Sequence, residues 1–455
     1  MGTLLVKNAH TLVTMDEGRR EIASGGLFVR DNVIEQVGET EALPATADEV
    51  LDLHGRHVVL PGLVNTHHHF FQTLTRAVPA AQNCDLFGWL QTLYPIWENL
   101  TAAGVYASTQ MAAAELMLSG CTTASDHLYL FPNDCTLDDE IRAAQDIGLR
   151  FHASRGSMSV GESKGGLPPD SLVETETAIL KDSQRLIEQY HDNSRHAMVR
   201  MVLAPCSPFS VSQALMRESA AMARTYPGVR LHTHLAENKS DVDYSLETFG
   251  LRPGDYAESV GWLGEDVWHA HCVQLSDDAI DKFARTGTGV AHCPCSNMRL
   301  ASGMAPLRRM LSQGVPVSIG VDGAASNDAS NLLQEARTAF LMARVREGNA
   351  AAITARETLE VATRGGAKVL GRDDIGHLAP GMSADFIAFN IDTPAFVGSH
   401  HDIVAALIFC QPPSVDYSFI NGRRVVDQGR LLTVALEELI ETCQRLAIAL
   451  HQKPH

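Results

Sequence analysis

Three features are missing from this 455-residue sequence, and each absence excludes a class of protein. No stretch approaches the roughly 20 consecutive apolar residues that a membrane-spanning helix needs, and the apolar N-terminal stretch is too short for a secretory signal peptide. Lysine and arginine form no dense run and number 36 against 54 aspartates and glutamates. We therefore expect neither a membrane partner nor a nucleic-acid partner, and a small uncharged or cationic ligand fits the formal charge of −18 better.

The nine cysteines are an odd number and are scattered along the chain. Several of them, including Cys206, Cys272 and Cys293, lie inside apolar runs that look like strands. This distribution disfavours a disulfide framework and favours buried thiols in a reducing compartment. We therefore expect a cytoplasmic enzyme, with a homo-oligomer as the default assembly.

Eight apolar runs alternate with helix-like stretches through the middle of the chain, which predicts a parallel α/β architecture. Each run carries His, Asp, Cys, Arg or Glu near its end, where barrel enzymes place their chemistry. Eight such units favour a (β/α)8 TIM barrel over an open doubly wound sheet, and no GxGxxG motif follows a strand. The runs are Val58 to His69, Thr122 to His127, Leu149 to Arg155, Met198 to Cys206, Val229 to Glu237, Val267 to Cys272, Gly289 to Cys293 and Val315 to Asp322.

Short alternating strands fill residues 4–53 and return in residues 384–389 and 417–426, where Asn421-Gly422 is a hairpin signal. We predict that these strands pair into a small flanking β-sandwich built from both termini. The predicted boundaries are 1–58 for the N-terminal part of the sandwich, 59–370 for the barrel, 371–432 for the C-terminal part, and 433–455 for a helix and tail.

The most informative motif is the pair His67 and His69 at the end of the first barrel run. Because alternate side chains share one face of a strand, both imidazoles can bind one cation while His68 points away. His234 in the fifth run adds a third imidazole, and Asp322 in the eighth run adds a carboxylate. Three imidazoles and one carboxylate suit a catalytic divalent ion with one position open for water.

A strand histidine taken alone is more often a hydrogen-bonded core residue than a metal ligand. That interpretation is kept for His127, His152 and His292. For the four residues above, the combination at barrel-strand ends favours metal binding.

Taken together, the motifs resemble those of the amidohydrolase superfamily, and specifically its branch of cyclic-amidine deaminases and triazine hydrolases. The resemblance covers nearly the whole chain and implies His67, His69, His234 and Asp322 as metal ligands. It also implies Glu237 as the proton shuttle and His271 as the histidine that polarises the substrate. The matching motifs, in the order of the family, are Pro61 to His69, His234 to Glu237, Ala270 to Cys272, His292 to Asn297 and Gly320 to Gly323.

Binuclear proteins that resemble this chain carry a lysine at the end of the fourth strand, which is carboxylated and bridges two metals. No lysine occurs here between Lys181 and Lys239. The resemblance therefore implies a single divalent ion, with Zn²⁺ as first choice and Fe²⁺ or Mn²⁺ as alternatives.

With Glu237, His271 and Asp322 as catalytic residues, the resemblance implies hydrolytic deamination of an aminopurine-like base. The first choice of substrate is 8-oxoguanine, which would give urate and ammonia. Adenosine-type deaminases usually have a histidine, and guanine deaminases an arginine, where this chain has Cys206 after Pro205. The alternatives are deamination of guanine, isocytosine or a pterin, or hydrolysis of a hydroxytriazine.

Five residues are candidates for substrate contact: Gln72, Cys84, Trp89, Arg155 and Cys206. The amide of Gln72 can both donate and accept a hydrogen bond at a purine edge, and the indole of Trp89 can stack on a flat ring. Arg155 could meet a carbonyl or anionic group of the substrate, or a structural carboxylate.

The sequence disfavours two other classes of function. A non-enzymatic metal- or purine-binding protein would not need the proton shuttle Glu237. A different zinc deaminase design uses an HxE motif with PCxxC, whereas Cys293-Pro294-Cys295 has a single residue between its thiols. These cysteines are better explained as buried residues of the seventh strand and its loop.

Overall fold

The computed structural model describes residues 2–410 and 414–452. Within these ranges the strands form one closed barrel, a four-stranded sheet and a seven-stranded sheet. The strands are β1 (Thr3–Lys7), β2 (Thr11–Val13), β3 (Glu21–Ala23), β4 (Gly25–Arg30), β5 (Val33–Glu39), β6 (Glu49–Asp52), β7 (His57–Pro61), β8 (Leu63–Asn65), β9 (Cys121–Leu128), β10 (Arg150–Ser157), β11 (Val199–Pro205), β12 (Arg230–Leu235), β13 (Val267–His271), β14 (Gly289–His292), β15 (Val317–Ile319), β16 (Phe386–Asn390), β17 (Tyr417–Ile420), β18 (Arg423–Asp427) and β19 (Arg430–Leu431).

The α-helices lie mainly between the barrel strands. They are α1 (Leu86–Trp97), α2 (Ala102–Leu118), α3 (Leu137–Ile147), α4 (Glu176–Tyr190), α5 (Gln213–Ala223), α6 (Lys239–Phe249), α7 (Pro253–Ser259), α8 (Asp277–Thr286), α9 (Pro294–Arg299), α10 (Leu307–Gln313), α11 (Leu332–Glu347), α12 (Ala355–Glu360), α13 (Gly366–Val369), α14 (Ile403–Phe409) and α15 (Leu436–Gln452).

The predicted barrel is confirmed. Its order is β10-β11-β12-β13-β14-β15-β8-β9, and every neighbouring pair in it is parallel. Each of the eight predicted runs contains one of these strands. All eight strands therefore present their carboxyl ends at the same rim, where the chemistry of such barrels is found.

One detail of the prediction is wrong, because the run Val58 to His69 contains two strands rather than one. β7 pairs antiparallel with β16 in the seven-stranded sheet, and only β8 enters the barrel. The change of partner occurs at Gly62, whose N–H donates to the Asp385 carbonyl, while the N–H of Leu63 donates to the Gly120 carbonyl. A side chain at residue 62 would clash with Thr122, so glycine permits the crossing.

The flanking β-sandwich is also confirmed. The four-stranded sheet, β5-β4-β1-β6, comes from the N-terminal segment, and the seven-stranded sheet, β19-β18-β17-β16-β7-β2-β3, combines strands from both ends of the chain. Leu27, Val29, Phe386 and Phe419 belong to the apolar core of this sandwich, and the two phenylalanine rings stack with their centroids 4.5 Å apart. Strands from both ends of the sequence therefore depend on each other for burial.

Side chains from four barrel strands meet inside the barrel. Val64, Val202, Trp268 and Ala291 form one buried cluster with residues 367–375, which pack against them from α13 and the segment after it. Since these four residues come from β8, β11, β13 and β14, they can only meet in the barrel interior. The barrel is a packed core and not a channel.

Helix α1 follows the first barrel strand and buries most of its apolar side chains, among them Trp89 and Tyr94. The helix predicted within residues 433–455 corresponds to α15. No helix in the described ranges has both the length and the apolar character required to cross a lipid bilayer.

Candidate metal centre and active site

The two histidines after β8 each have one ring nitrogen committed to a hydrogen bond that fixes the tautomer. The Nδ1 of His69 lies 2.7 Å from the carbonyl oxygen of His127, which can only accept, so this nitrogen carries the hydrogen. The Nδ1 of His67 lies 2.8 Å from Nε2 of His232, whose own Nδ1 donates to the Trp268 carbonyl at 3.0 Å. Both His67 and His69 are therefore left with a lone pair on Nε2.

His234 at the end of β12 is held in the same way. Its Nδ1 donates to the carbonyl oxygen of Cys206 at 2.6 Å, so its Nε2 also carries a lone pair. A partner on the far nitrogen, most often a carboxylate or a carbonyl, is the usual arrangement around metal-binding histidines. Here the carbonyl partners of His69 and His234 come from the neighbouring strand β9 and from the end of the neighbouring strand β11, whereas the partner of His67 comes from β12, across the barrel.

Four lone-pair donors converge at one point. The Nε2 of His69 lies 3.1 Å from the Nε2 of His234, and the Oδ1 of Asp322 lies 3.3 Å from the Nε2 atoms of both His67 and His69. Ligands about 2.0–2.1 Å from a zinc ion at tetrahedral angles are separated by about 3.4 Å. The Nε2 of His67 is buried and has no hydrogen-bond partner. Lone pairs that face one another this closely repel unless a cation lies between them, so the residues fit a divalent metal ion.

The backbone at the rim is strained where it presents functional groups. Asp322 has φ = 64°, His271 has φ = 69°, and Ala236, next to Glu237, has φ = 52°. Side-chain-bearing residues rarely adopt this left-handed conformation, and such strain persists where the surrounding structure holds it. In addition, Gly320 has no side chain, and a Cβ there would lie 2.7 Å from Cβ of His67. Glycine at this position lets the first and eighth strands bring their ligands together.

Glu237 and His271 lie beside the metal donors. The Nε2 of His271 lies 3.5 Å from Oε2 of Glu237 and 3.9 Å from Oδ2 of Asp322, and its Nδ1 donates to Oδ1 of Asn297 at 3.0 Å. Burial raises the pKa of Glu237 to about 7. Glu237 can therefore hold or release a proton near neutral pH, which is what a proton shuttle requires.

The charges of His271 and Asp322 depend on each other. Burial acts to lower the pKa of His271, but the carboxylates of Glu237 and Asp322 outweigh it and the pKa is raised. Burial opposes ionisation of Asp322, yet its contacts with His67 lower the pKa of this carboxyl well below its usual range. The site therefore combines the ionised carboxylate of Asp322, the carboxyl group of Glu237, which can be neutral or ionised, and the imidazole of His271, which can carry a proton.

Comparison with known proteins agrees with this geometry. The model of the amidohydrolase family matches residues 58–425 of the chain. The chain belongs to the amidohydrolase family. It is 48% identical to an 8-oxoguanine deaminase from Pseudomonas aeruginosa, over 94% of this chain and 95% of that protein. It is 36% identical to an isoxanthopterin deaminase from an unknown prokaryotic organism, over 96% and 94% of the two chains.

Solved structures of the family are also similar. The crystal structure of an atrazine chlorohydrolase from Arthrobacter aurescens TC1 complexed with zinc superposes with a TM-score of 0.93 at 33% identity. It covers 98% of this chain and 100% of the other. Together with the four convergent donors, this similarity confirms the predictions of an aminohydrolase-type enzyme and a divalent metal cofactor.

The amidohydrolase has a cavity at the carboxyl ends of the strands, directly beside the metal donors. His69, His234, Glu237, His271 and Asp322 form its polar wall. Three of the five predicted substrate-contact residues, Gln72, Trp89 and Cys206, also line it.

The other two predicted substrate-contact residues lie elsewhere. Arg155 points outward from β10, where its guanidinium pairs with Glu174 at 2.8 Å and with Asp182 at 2.9 Å. The Sγ of Cys84 lies 3.4 Å from the Ala80 carbonyl, and this residue is absent from the cavity wall. Structural carboxylates therefore pair with the charge of Arg155, which is one of the two roles that the sequence allows for this residue.

The sequence pattern alone does not identify several residues of the site. Tyr94, Tyr129 and Ser326 line the cavity, and His232 fixes the tautomer of His67. His232 could have been found, because it lies two residues before His234 and therefore on the same face of β12. The tyrosines carry no comparable signal, because their position depends on how α1 and the segment after β9 pack over the barrel.

Proposed function

We propose that this amidohydrolase catalyses the hydrolytic deamination of 8-oxoguanine to urate and ammonia. One observation supports deamination in particular: Glu237, whose pKa is raised to about 7, lies within 3.5 Å of His271 at the edge of the metal site. The choice of base is supported by the 48% identity, over nearly all of both chains, to the relative named 8-oxoguanine deaminase.

In the proposed mechanism, His67, His69, His234 and Asp322 hold one divalent ion, with zinc as the first choice. When bound, such an ion lowers the pKa of water towards neutrality and so supplies a nucleophile. Asp322 accepts the proton that the attacking water loses. Glu237 delivers its proton to the ring nitrogen next to the amino-bearing carbon while the new C–O bond forms, so that no negative charge accumulates there.

The remaining steps also use residues of this chain. His271, held by Asn297, donates a hydrogen bond to the oxygen added at the tetrahedral carbon. The amino group takes up the proton held by Asp322, the added oxygen passes its remaining proton to Glu237, the C–N bond breaks, and ammonia leaves. Water and 8-oxoguanine are thereby converted to urate and ammonia with all atoms balanced.

The substrate contacts are proposed from the cavity wall. The Nε2 of Gln72 lies 3.4 Å from the Tyr129 hydroxyl, and its Oε1 lies 3.4 Å from the N–H of Ala325, so both contacts are long. The amide therefore has capacity left for a purine edge. The indole N–H of Trp89 already donates to the Ala325 carbonyl at 3.0 Å. Trp89 would therefore contribute the apolar face of its ring. Cys206 has a small side chain, which leaves room in the cavity where a larger side chain would project.

Ammonia release tests the proposal. The purified protein loaded with Zn²⁺ is assayed with 8-oxoguanine, guanine, isocytosine, isoxanthopterin, an adenosine-type nucleoside and an aminotriazine. We expect the highest kcat/KM with 8-oxoguanine, and urate as its product. A higher kcat/KM with any other compound of the panel would overturn the choice of base, and no ammonia from any of them would overturn deamination.

The metal count is tested separately by elemental analysis after exposure to excess zinc. We expect one tight equivalent per chain, since four donors converge and the segment between Lys181 and Lys239 offers no bridging lysine. We also propose a cytoplasmic location, which is supported by nine free cysteines in the structure, most of them buried.

A further inference from the structure

Tyr94 has a buried hydroxyl group without a good hydrogen-bond partner. The residue lies on α1, is 1% exposed, and lines the active-site cavity. Among the described residues, the hydrogen-bond partner of its hydroxyl is the Sδ of Met158, at 3.9 Å. A thioether is a weak acceptor at this distance, so the O–H is close to unpaired.

An unpaired buried hydroxyl is costly, and a site that keeps one usually uses it. Tyr129, the other tyrosine of the cavity wall, accepts a hydrogen bond from Gln72 and packs edge-on against His69 with the ring centroids 4.9 Å apart, so it lies beside the metal donors. Trp97 and Trp89 donate their N–H groups to Thr75 and to the Ala325 carbonyl. The Tyr94 hydroxyl is therefore a donor of this wall that has no strong partner in the protein and does not lie against His69.

The hydroxyl also stays protonated. Burial, together with the nearby Cys206 thiol, raises the pKa of Tyr94 well above its ordinary value of 10.0. It is a hydrogen-bond donor at any pH at which the enzyme works, and a carbonyl oxygen is the matching acceptor.

The position of Tyr94 relative to the reacting groups decides which part of a ligand it meets. Met158 and Cys206 directly follow β10 and β11, whereas Glu237 and His271 belong to the ends of β12 and β13. Tyr94 therefore lies on the β10–β11 side of the cavity, whereas the proton shuttle follows β12, the next strand of the barrel. A flat base whose amino-bearing carbon lies at Glu237 and the metal donors would extend its other end towards this side.

We propose that Tyr94 donates a hydrogen bond to the carbonyl oxygen at the end of the base remote from the amino-bearing carbon. In 8-oxoguanine that acceptor is the oxo group on C8, which guanine lacks. Tyr94 would then set the preference for the oxidised base, and this assignment rests on the proposed function.

The test compares the wild-type enzyme with Tyr94→Phe on 8-oxoguanine and guanine. We expect kcat/KM for 8-oxoguanine to fall by about tenfold, as for one lost hydrogen bond in a closed site, while kcat/KM for guanine changes by less than about twofold. The melting temperature should not fall, because the hydroxyl has no strong partner in the protein. Tyr106→Phe is the matched control, since the Tyr106 hydroxyl donates to Asp146 on the surface, 2.6 Å away and outside the cavity.

Inhibition constants give a second measurement that does not need turnover of guanine. Urate carries the oxo group on C8 that xanthine lacks, with the ring N–H that accompanies it, so Tyr94→Phe should weaken inhibition by urate about tenfold and leave xanthine unchanged. Tyr94→Phe could instead affect 8-oxoguanine and guanine equally, affect urate and xanthine equally, or affect none of them. Each of these results would overturn the role of Tyr94 while the deaminase assignment stands. A wild-type enzyme that releases no ammonia from 8-oxoguanine would overturn both.

Discussion

At the scale of single residues, Glu237 is the group whose removal should separate chemistry from metal binding. It lies next to the four convergent donors and is not one of them, and its side chain is fully enclosed. Glutamine keeps the shape of the side chain and cannot deliver a proton. We expect Glu237→Gln to retain its metal and to lose at least about 100-fold in kcat.

Elemental analysis and steady-state assays on the same preparation check this prediction. Glu265→Gln, at a carboxylate outside the cavity, is the matched control and should keep wild-type kcat. A Glu237→Gln enzyme with near-normal kcat on its best substrate would exclude Glu237 as the shuttle.

A second pair of carboxyl groups lies behind the metal site. The Oδ1 of Asp126 accepts the N–H of Phe70 at 2.6 Å, directly after His69, and Asp126 and Glu140 are both buried. Burial raises the pKa of Asp126 to about 8, and burial together with the contact to Asp126 raises the pKa of Glu140 well above its usual value. These raised pKa values mean that the pair holds protons at neutral pH, so that the two carboxyl groups can hydrogen-bond to each other, and Asp126 in turn holds the segment that carries the histidines.

This pair should make stability depend on pH. Carboxyl groups with raised pKa values bind more protons in the folded than in the unfolded state, so the free energy of unfolding falls as pH rises from about 4 through about 8. The amide of Glu140→Gln donates to Asp126 without needing a proton. The free energy of unfolding of the wild type should fall between pH 6 and 9. We expect the fall in this variant to be smaller by at least about 1 kcal/mol.

Urea unfolding at a series of pH values measures the difference. Gln110→Ala, on the outward side of α2, is a control that should leave the slope unchanged. Parallel stability profiles for the wild type and Glu140→Gln would show that the two carboxyl groups do not share a proton.

Among the elements of the barrel, strand β12 orients a metal ligand that follows β8. Nδ1 of His67 donates to His232, which donates to the carbonyl of Trp268 on β13. Without an acceptor at residue 232, the Nε2 of His67 is no longer the favoured lone-pair site. We expect His232→Leu to lower metal affinity by about 10- to 100-fold, as is usual for partners of metal-binding histidines.

Competition with a chromophoric chelator measures this affinity. His232→Gln keeps an acceptor oxygen and should recover much of the loss, whereas a purely steric role for His232 would leave both variants equally weak. Unchanged affinity in His232→Leu would mean that the relay does not control the tautomer of His67.

The sequence predicts the elements best where local pattern decides. The eight barrel strands are short apolar runs with a polar residue at the end, and period-two alternation places His67 and His69 on one face. The division between β7 and β8 is hidden, because both strands are buried and no polar residue separates them. The outward direction of Arg155 is hidden as well, since its partners Glu174 and Asp182 follow 19 and 27 residues later.

The cavity wall is predictable only in part for a related reason. Gln72 is close in sequence to the metal ligands, and its place in the wall follows from that proximity. Tyr94 reaches the cavity from a helix whose position over the barrel is set by packing between distant segments. Local periodicity identifies such a helix and cannot say which of its side chains faces the site.

At the scale of the whole molecule, one buried ion pair joins the barrel to the sandwich. The guanidinium of Arg150, the first residue of β10, forms two hydrogen bonds with Asp385, at 2.7 and 2.8 Å. Asp385 directly precedes β16 and also accepts the N–H of Asn421 in the β17–β18 hairpin at 2.7 Å. Two further hydrogen bonds lead from Arg150 to the carbonyls of His196 and Ala197.

Removal of one partner should destabilise the entire fold. Arg150 is 0% exposed and Asp385 is 3% exposed, so Asp385→Ala leaves a buried guanidinium without its carboxylate. The expected loss is about 3–5 kcal/mol in the free energy of unfolding, whereas Asp266→Ala, which breaks the surface pair with Arg224, should cost no more than about 1 kcal/mol.

The double variant Arg150→Met/Asp385→Leu should regain much of the loss, because a buried ion pair replaced by apolar groups no longer leaves an unpaired charge. Urea unfolding monitored separately by tryptophan fluorescence, to which four indoles between residues 59 and 370 contribute, and by far-ultraviolet circular dichroism should give coincident transitions for the wild type. If Asp385→Ala costs no more than Asp266→Ala, the ion pair does not couple the barrel to the sandwich.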